Sequence, residues 1–321
     1  MNIREVNIYI ADSIDKSGIK LLKDKGFNVY SLTGLSNNDL FGKISVKDSK
    51  FDNLSVLIIR SVRNIKQEDI DILKSKTKIK CICTASSGFD KIDSIYAKKQ
   101  GIKVINVPNG NYLSAAEHTI SLILYIIKNL KYSEESLSGD SFYLKEYSNT
   151  ELYKKTIGII GVGRVGSYLA KLCRAFNMKI LGNDIKKSLK NKYPWIHFCD
   201  LNYLSSHSDI VTVHTPLDDS TRNMIDANFI TRMKTNSILV NCARGGIIDE
   251  KALINKLKSN KLFYSALDVF ENEPDVNPEF FKLKNIVITP HQAGKTRESK
   301  VRISILLAQK LIKELEKKTK T

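Results

Sequence analysis

Three apolar runs late in the chain each give way to a polar group that could do chemistry. Ile238-Leu239-Val240-Asn241-Cys242-Ala243 leads to Arg244 and the pair Gly245-Gly246. Ser265-Ala266-Leu267-Asp268-Val269-Phe270 leads to Glu273, just before Pro274. Val287-Ile288-Thr289-Pro290 leads to His291, followed by Gln292-Ala293-Gly294. A guanidinium stays charged and offers paired, coplanar donors, so Arg244 suits a carboxylate and the charge that grows on a carbonyl oxygen. An imidazole titrates near neutrality, so His291 can give that oxygen a proton or take one back. A carboxylate beside the ring orients it and favours its charged form, and Glu273 fits that place. The set suits interconversion of a 2-oxo acid and a 2-hydroxy acid. Singly, each residue has a plainer reading: Arg244 as a surface turn, Glu273 as an exposed loop acid, His291 as a loop residue satisfied by backbone. Three such residues just past strand candidates, where open α/β sheets bind ligands, argue against coincidence.

That chemistry needs a two-electron carrier, and an earlier segment provides for one. Gly161-Val162-Gly163-Arg164-Val165-Gly166 spells G-x-G-x-x-G. The pattern alone is weak, but here the strand candidate Thr156–Ile160 runs into it, a helix pattern leaves it, and the next strand candidate ends in Asp184, 18 residues past Gly166. Gly161 allows a tight turn, Gly163 lets a pyrophosphate approach the backbone, and Gly166 lets helix and sheet pack closely. The helix N-terminus, entered at Arg164 and Val165, offers N–H groups and a positive dipole end to phosphates. Asp184 can accept hydrogen bonds from the adenine ribose and would repel a 2′-phosphate, so NAD is favoured over NADP; Lys186 and Lys187 soften that preference.

The elements that must position these groups form two alternating series. In the first, strands are expected at Val6–Ala11, Val56–Arg60, Ile79–Thr84 and Ile102–Val107, with helices at Ser17–Lys25, Gln67–Lys74 and Ile92–Lys99. A long helix, Ser114–Lys131, is apolar nearly all round in its first half, which points to burial between domains. Ser133–Asn149 is polar and reads as an irregular connection. The second series places strands at Thr156–Ile160, Lys179–Asn183, Asp209–His214, Ser237–Asn241, Phe263–Leu267 and Asn285–Thr289, and helices at Arg164–Phe176, Ala227–Met233, Asp249–Ser259 and Arg297–Lys317. Such alternation builds parallel sheets with helices on both faces: an α/β protein of two doubly wound domains. We expect a substrate domain of residues 1–107 plus 294–321, and a Rossmann cofactor domain of residues 108–293. The amphipathic last helix is expected to return to the first domain.

Composition narrows the classes. The 321 residues, 42% of them hydrophobic, can bury a large core. The net charge of +17 is spread along the chain; the two basic runs, Lys186-Lys187 and Lys317-Lys318, are short and not interleaved with aromatics, so it reads as a solvated surface rather than a nucleic-acid groove. No C-x-x-C pair occurs among Cys81, Cys83, Cys173, Cys199 and Cys242, which read as reduced core cysteines and not metal ligands. The longest apolar stretch, Thr119–Ile127, is too short to span a bilayer, and Met1–Ser13 lacks a signal-peptide core. A soluble cytoplasmic protein is expected.

These motifs, with His214-Thr215-Pro216-Leu217, make nearly the whole chain resemble the D-isomer-specific 2-hydroxyacid dehydrogenase family. The resemblance implies that the Rossmann domain is inserted into a flavodoxin-like substrate domain. It implies roles for Arg244 in binding substrate, for Glu273 as the acid partnering the histidine, and for His291 as the acid/base. It also implies that Asp268 binds the nicotinamide carboxamide. His214, Thr215 and Pro216, with Cys242 and Ala243, would line the cofactor, and Gly294 is counted with them. Ser86, Ser87 and Gly88 resemble the first-domain turn whose N–H groups hold the substrate carboxylate. A homodimer formed through the cofactor domain, partly by the long helix, is implied as well.

Within the family, Arg60-Ser61-Val62-Arg63 resembles the phosphoglycerate and erythronate-phosphate members, in which the Arg60 position helps hold a phosphate; Arg63 adds a charge. The match departs at Arg63, where phosphoglycerate members commonly carry threonine, at Thr84, where they carry arginine, and around Phe142–Tyr147, where a family tryptophan is missing. The best single reading is a short form, without a regulatory C-terminal domain, acting on 3-phosphoglycerate in serine biosynthesis. Glyoxylate/hydroxypyruvate, D-lactate and erythronate 4-phosphate remain open, and so does the family's non-enzymatic class of NAD-sensing co-repressors.

Overall fold

The computed structural model describes residues 5–46, 48–138, 149–261 and 263–317. The expectation for Phe142–Tyr147 lies outside the described residues. The chain divides into one unit of Met1–Asn111 with Lys295–Thr321 and another of Tyr112–Gly294.

The first unit runs β1 (Asn7–Ile10), α1 (Lys16–Asp24), β2 (Asn28–Ser31), α2 (Asn37–Ser45), β3 (Leu54–Ile59), α3 (Gln67–Lys76), β4 (Cys81–Thr84), α4 (Ser94–Lys99) and β5 (Lys103–Ile105), and includes the C-terminal helix Arg297–Lys317. The strands pair in parallel in the order β2-β1-β3-β4-β5. β3 is buried at all six positions, as a strand covered on both faces must be. Val56 and Ile58 meet Leu307, Leu311 and Leu315 of the C-terminal helix in one core cluster. Leu57 and Ile59 belong to another, with Leu40, Ile70, Leu73 and Ala97. β2 and α2 were not anticipated. β2 is mostly exposed, and α2 begins with Asn37-Asn38-Asp39, held by a capping box between Ser36 and Asp39.

The second unit runs α5 (Tyr112–Ile127), α6 (Leu130–Ser138), β6 (Thr156–Ile160), α7 (Arg164–Ala175), β7 (Lys179–Asn183), α8 (Leu189–Lys192), β8 (His197–Phe198), α9 (Leu201–His207), β9 (Ile210–Val213), α10 (Ala227–Arg232), β10 (Ile238–Asn241), α11 (Glu250–Ser259), β11 (Tyr264–Leu267) and β12 (Ile286–Ile288). Seven parallel strands lie in the order β12-β11-β10-β9-β6-β7-β8. The order reverses between β6 and β9, and in such sheets the ligand crevice opens at the carboxyl ends beside that reversal. α5 seats Ala116, Ile120, Ile123 and Ile127 on the sheet, against Ile157, Ile159, Val240 and Ala266. The long helix expected at Ser114–Lys131 is in fact two. Asn129 takes a left-handed φ of 49° and its N–H turns back to the Ile126 carbonyl, which ends α5. The chain then re-enters a helix, so Ser133–Ser138, expected to be irregular, belongs to α6.

Among the described residues, no helix is long and apolar enough to cross a membrane, and no group of His, Cys, Asp and Glu could hold a metal ion.

Candidate active site

β6 delivers the chain into the glycine turn. Gly161 has φ +88°, which L side chains rarely adopt, and a Cβ there would lie 2.7 Å from the His214 carbonyl oxygen. A Cβ on Gly166 would meet the Gly161 carbonyl at 2.1 Å, so α7 can seat this close to β6 only with glycine there. Gly163 differs: nothing lies within 4 Å of its missing Cβ. It is the N-cap of α7 and makes no side-chain cap, which leaves the first-turn N–H groups for another acceptor. Beyond β7, the half-buried Asp184 accepts from the Val162 N–H and the Lys186 N–H, both at 2.8 Å, so its carboxylate is fixed beside the turn.

On the neighbouring strand end, Thr215 Oγ1 is buried with no hydrogen-bond partner among the described residues. His214 bonds Thr212 Oγ1 at 2.9 Å, and burial pushes its imidazole down to about 3, so it is neutral at physiological pH. Burial pushes the Cys242 thiol up to about 12. An open glycine, an uncapped helix start, an orphaned hydroxyl and an acid at the next strand end fit a dinucleotide. The glycine turn with Arg164, Val165 and Gly166 would take the pyrophosphate, and Asp184 the ribose hydroxyls.

The Arg, Glu and His loops are tied to one another. Asn241, 2% exposed at the end of β10, donates to the Arg244 carbonyl at 2.8 Å and accepts from the Ala243 N–H at 3.0 Å. It thereby shapes the loop that carries Arg244, a role not visible in sequence. Arg244 is half-buried, with Nη1 on the Ala243 carbonyl at 2.7 Å. The next residue, Gly245, packs so closely on the Phe270–Glu271 turn that a Cβ would lie 1.8 Å from the Phe270 carbonyl oxygen. That turn is also held by the Glu271 N–H, which donates to Glu250 at 2.7 Å. Glu273 Oε1 accepts from the Phe270 N–H at 3.1 Å, and Oε2 sits 2.7 Å from His291 Nδ1. A carboxylate can only accept, so Nδ1 carries the proton there and Nε2 remains for a reacting oxygen.

His291 is exposed and adopts φ +47°. Both sides of it are anchored on Asp268, whose side chain is wholly buried. Thr289 Oγ1 donates to Asp268 Oδ1 at 2.6 Å, the Gln292 N–H to Oδ1 at 2.8 Å and the Ala293 N–H to Oδ2 at 2.8 Å. Burial works to raise the Asp268 carboxyl, but the hydrogen bonds from His118, Thr289, Gln292 and Ala293 outweigh it and hold it below the usual range. Asp268, the residue expected to bind the nicotinamide carboxamide, also holds the loop that carries His291. Gly294 closes that loop.

The substrate candidates lie in the other unit. Arg60, half-buried, follows β3 and gives its backbone N–H to Asp12 at 2.8 Å; Ser61 is exposed. Ser86, Ser87 and Gly88 form the half-buried turn after β4, with the Ser87 carbonyl accepting from Asn106 at 2.6 Å. Arg63 corrects an expectation. It is 7% exposed, and its guanidinium donates to Asp12 at 2.9 Å, Asn37 at 3.1 Å, the Ala11 carbonyl at 3.1 Å and the Leu35 carbonyl at 2.7 Å. It holds loops of its own unit together and offers no charge to a ligand.

Residues 120–293 match the sequence profile "D-isomer specific 2-hydroxyacid dehydrogenase, NAD binding domain". The chain is 37% identical, over 97% of its length, to D-3-phosphoglycerate dehydrogenase of Methanocaldococcus jannaschii, and spans 57% of that protein. It is 35% identical, over 96% of its length, to hydroxypyruvate reductase of Thermotoga maritima, and spans 98% of it. Among solved structures, D-lactate dehydrogenase from Aquifex aeolicus, complexed with NAD and lactic acid, superposes with a TM-score of 0.80 at 28% identity, covering 98% of this chain and 96% of that one. The chain therefore belongs to the D-isomer-specific 2-hydroxyacid dehydrogenase family, a family of NAD-dependent oxidoreductases. It spans little more than half the length of several phosphoglycerate dehydrogenases it matches.

Proposed function

We propose that this protein interconverts a D-2-hydroxy acid and its 2-oxo acid, with 3-phosphoglycerate and 3-phosphohydroxypyruvate as the physiological pair in serine biosynthesis. The observation that carries the reaction class is the 2.7 Å contact between His291 and Glu273, on a loop network shared with Arg244. Bound NAD supplies or takes up the hydride at C2. Arg244 holds the carboxylate and steadies the charge on the C2 oxygen. His291 gives that oxygen its proton from Nε2 in reduction and removes it in oxidation, while Glu273 keeps the ring oriented and favours its charged form. For the substrate's anionic groups the family resemblance points to the Ser86–Gly88 turn for the carboxylate and to Arg60 for the phosphate. Phosphoglycerate as substrate draws on Arg60 and on the names of the first relatives.

A second reading, hydroxypyruvate without a phosphate, is favoured by one observation: Arg63, the second cation that a phosphate site would use, is consumed inside its own unit. A panel of 2-oxo acids with and without phosphate, assayed by NADH consumption, separates the two. Phosphohydroxypyruvate as the best substrate, with Arg60→Ala harming it most, supports the first reading. Hydroxypyruvate as the best substrate, indifferent to Arg60→Ala, supports the second. Absence of turnover with every acid would leave the NAD-sensing role.

A cytoplasmic homodimer goes with this reading. The half-buried Leu124, Tyr125 and Ile126 on α5 and the exposed Leu130 and Tyr132 on α6 give the cofactor unit an apolar surface suited to a second copy. Light scattering that returns a monomer mass would overturn it.

A further inference from the structure

We propose that His118 is a positioning residue: through Thr289 and Asp268 it fixes the loop that presents His291, and it does so by donating from Nε2. The inference rests on the hydride-transfer reading above and adds to it a residue from a helix far away in sequence. His118 lies on α5, 18% exposed, with Nε2 3.2 Å from Thr289 Oγ1 and 3.6 Å from Asp268 Oδ1.

Proton accounting orders the chain. The hydrogen bonds that hold the Asp268 carboxyl below the usual range keep it ionised, so it can only accept. Thr289 must then donate its hydroxyl proton to Asp268 across 2.6 Å. A hydroxyl has one proton, so toward His118 the Thr289 oxygen can only accept. His118 must therefore carry a proton on Nε2, as the neutral Nε2–H tautomer or as the imidazolium.

The consequence reaches His291 because Asp268 takes hydrogen bonds from both sides of it, Thr289 before and Gln292 and Ala293 after. Between those anchors the backbone at His291 is left-handed, a conformation that costs a histidine about 1–2 kcal/mol and persists only where the surroundings hold it. A buried polar network of this kind is rigid when every member is satisfied and loosens when one is removed. With His118 gone, Thr289 loses the donor that fixes its hydroxyl rotor toward Asp268. The His291 loop then gains freedom, while the glycine turn and Asp184, on other strand ends, do not.

The test combines kinetics with a readout independent of turnover. His118→Ala is expected to lower kcat about ten- to a hundredfold, the size of effect a misplaced reacting group produces, with the Kd for NADH changed by no more than about twofold. His118→Gln places an N–H donor near the Nε2 position and is expected to recover kcat to within about threefold of the unmutated protein. Thr289→Val removes the middle link with little change of volume, so it serves even where the alanine variant does not fold. The double variant with His118→Ala should be no worse than Thr289→Val alone, because a cut chain has nothing left to lose. Separately, 15N shifts of the five histidine rings should show His118 protonated at Nε2. An Nδ1–H tautomer, a glutamine variant as impaired as the alanine one, or independent and additive losses at His118 and Thr289 would each overturn the proposal. Should the unmutated protein turn over no acid in the panel, the hydride-transfer reading fails, and the tautomer still decides the relay.

Discussion

Each unit carries an arginine just beyond a buried parallel strand, and the two sit in different surroundings. Arg63, four residues past β3, is 7% exposed, and two side chains and two carbonyls absorb its donors. Arg244, three residues past β10, is half-buried, and the loops around it are held by other polar side chains. Asn241 holds the Arg244 loop, Glu250 the Glu271 turn and Asp268 the His291 loop. Position past a strand therefore does not decide how deeply a charged group is buried. What decides is how many acceptors close around it: four enclose the Arg63 guanidinium, while the Arg244 side chain is only half-buried.

The largest test of this contrast removes the ring that the second unit leaves exposed. His291→Asn is the clean variant, since asparagine tolerates the left-handed backbone there. We expect kcat to fall about 10²–10⁴-fold while thermal stability and NADH binding, followed by fluorescence titration, barely change. Unchanged turnover would remove His291 from the chemistry. Arg63→Met should do the reverse. Leaving Asp12 without its buried partner is expected to cost about 3–5 kcal/mol in a denaturant titration, with kcat of the folded fraction preserved. A selective loss of phosphorylated substrates at unchanged stability would instead place Arg63 at the ligand.

A third test sharpens the contrast through pH. Asp268 is held below its ordinary value, so its contribution is present above the unfolded value of about 3.9 and is lost as pH falls through the lower folded one. Asp268→Asn cannot accept from all its partners and should lose about 1.5–3 kcal/mol near neutrality, where bonds to a charged acceptor count in full. The gap between variant and unmutated protein should close in acid unfolding curves below pH ~4. A gap that persists at low pH would show that the ionised carboxylate is not what holds the loop. The smallest expected effect is at Asp184. Asp184→Ala should raise the use of NADP relative to NAD by about tenfold, roughly 1.4 kcal/mol, in parallel cofactor assays.

Most of the framework was legible because burial on two faces leaves dense apolar runs. β6, β7 and the C-terminal helix fall where the sequence pattern puts them, and the other expected strands differ only at their ends. The missed elements lack that signal. β2 is largely exposed, β8 is two residues long, and α2 owes its start to a cap rather than to propensity. The site divides similarly. That the Arg244, Glu273 and His291 loops come together was readable because each follows an apolar run, whereas Arg63 resembles a ligand-binding cation in sequence because its acceptors come from distant loops. His118 was invisible: it stands inside an apolar helix, and its partner Thr289 is 171 residues away.

The absent side chain at Gly245 has a consequence for how this protein could diversify. Because the Arg244 and Phe270 corners touch backbone to backbone, neither loop can lengthen or be transplanted alone without prising the other from its place. New preferences would then arise more readily through point changes elsewhere, leaving the paired corners as an inherited block.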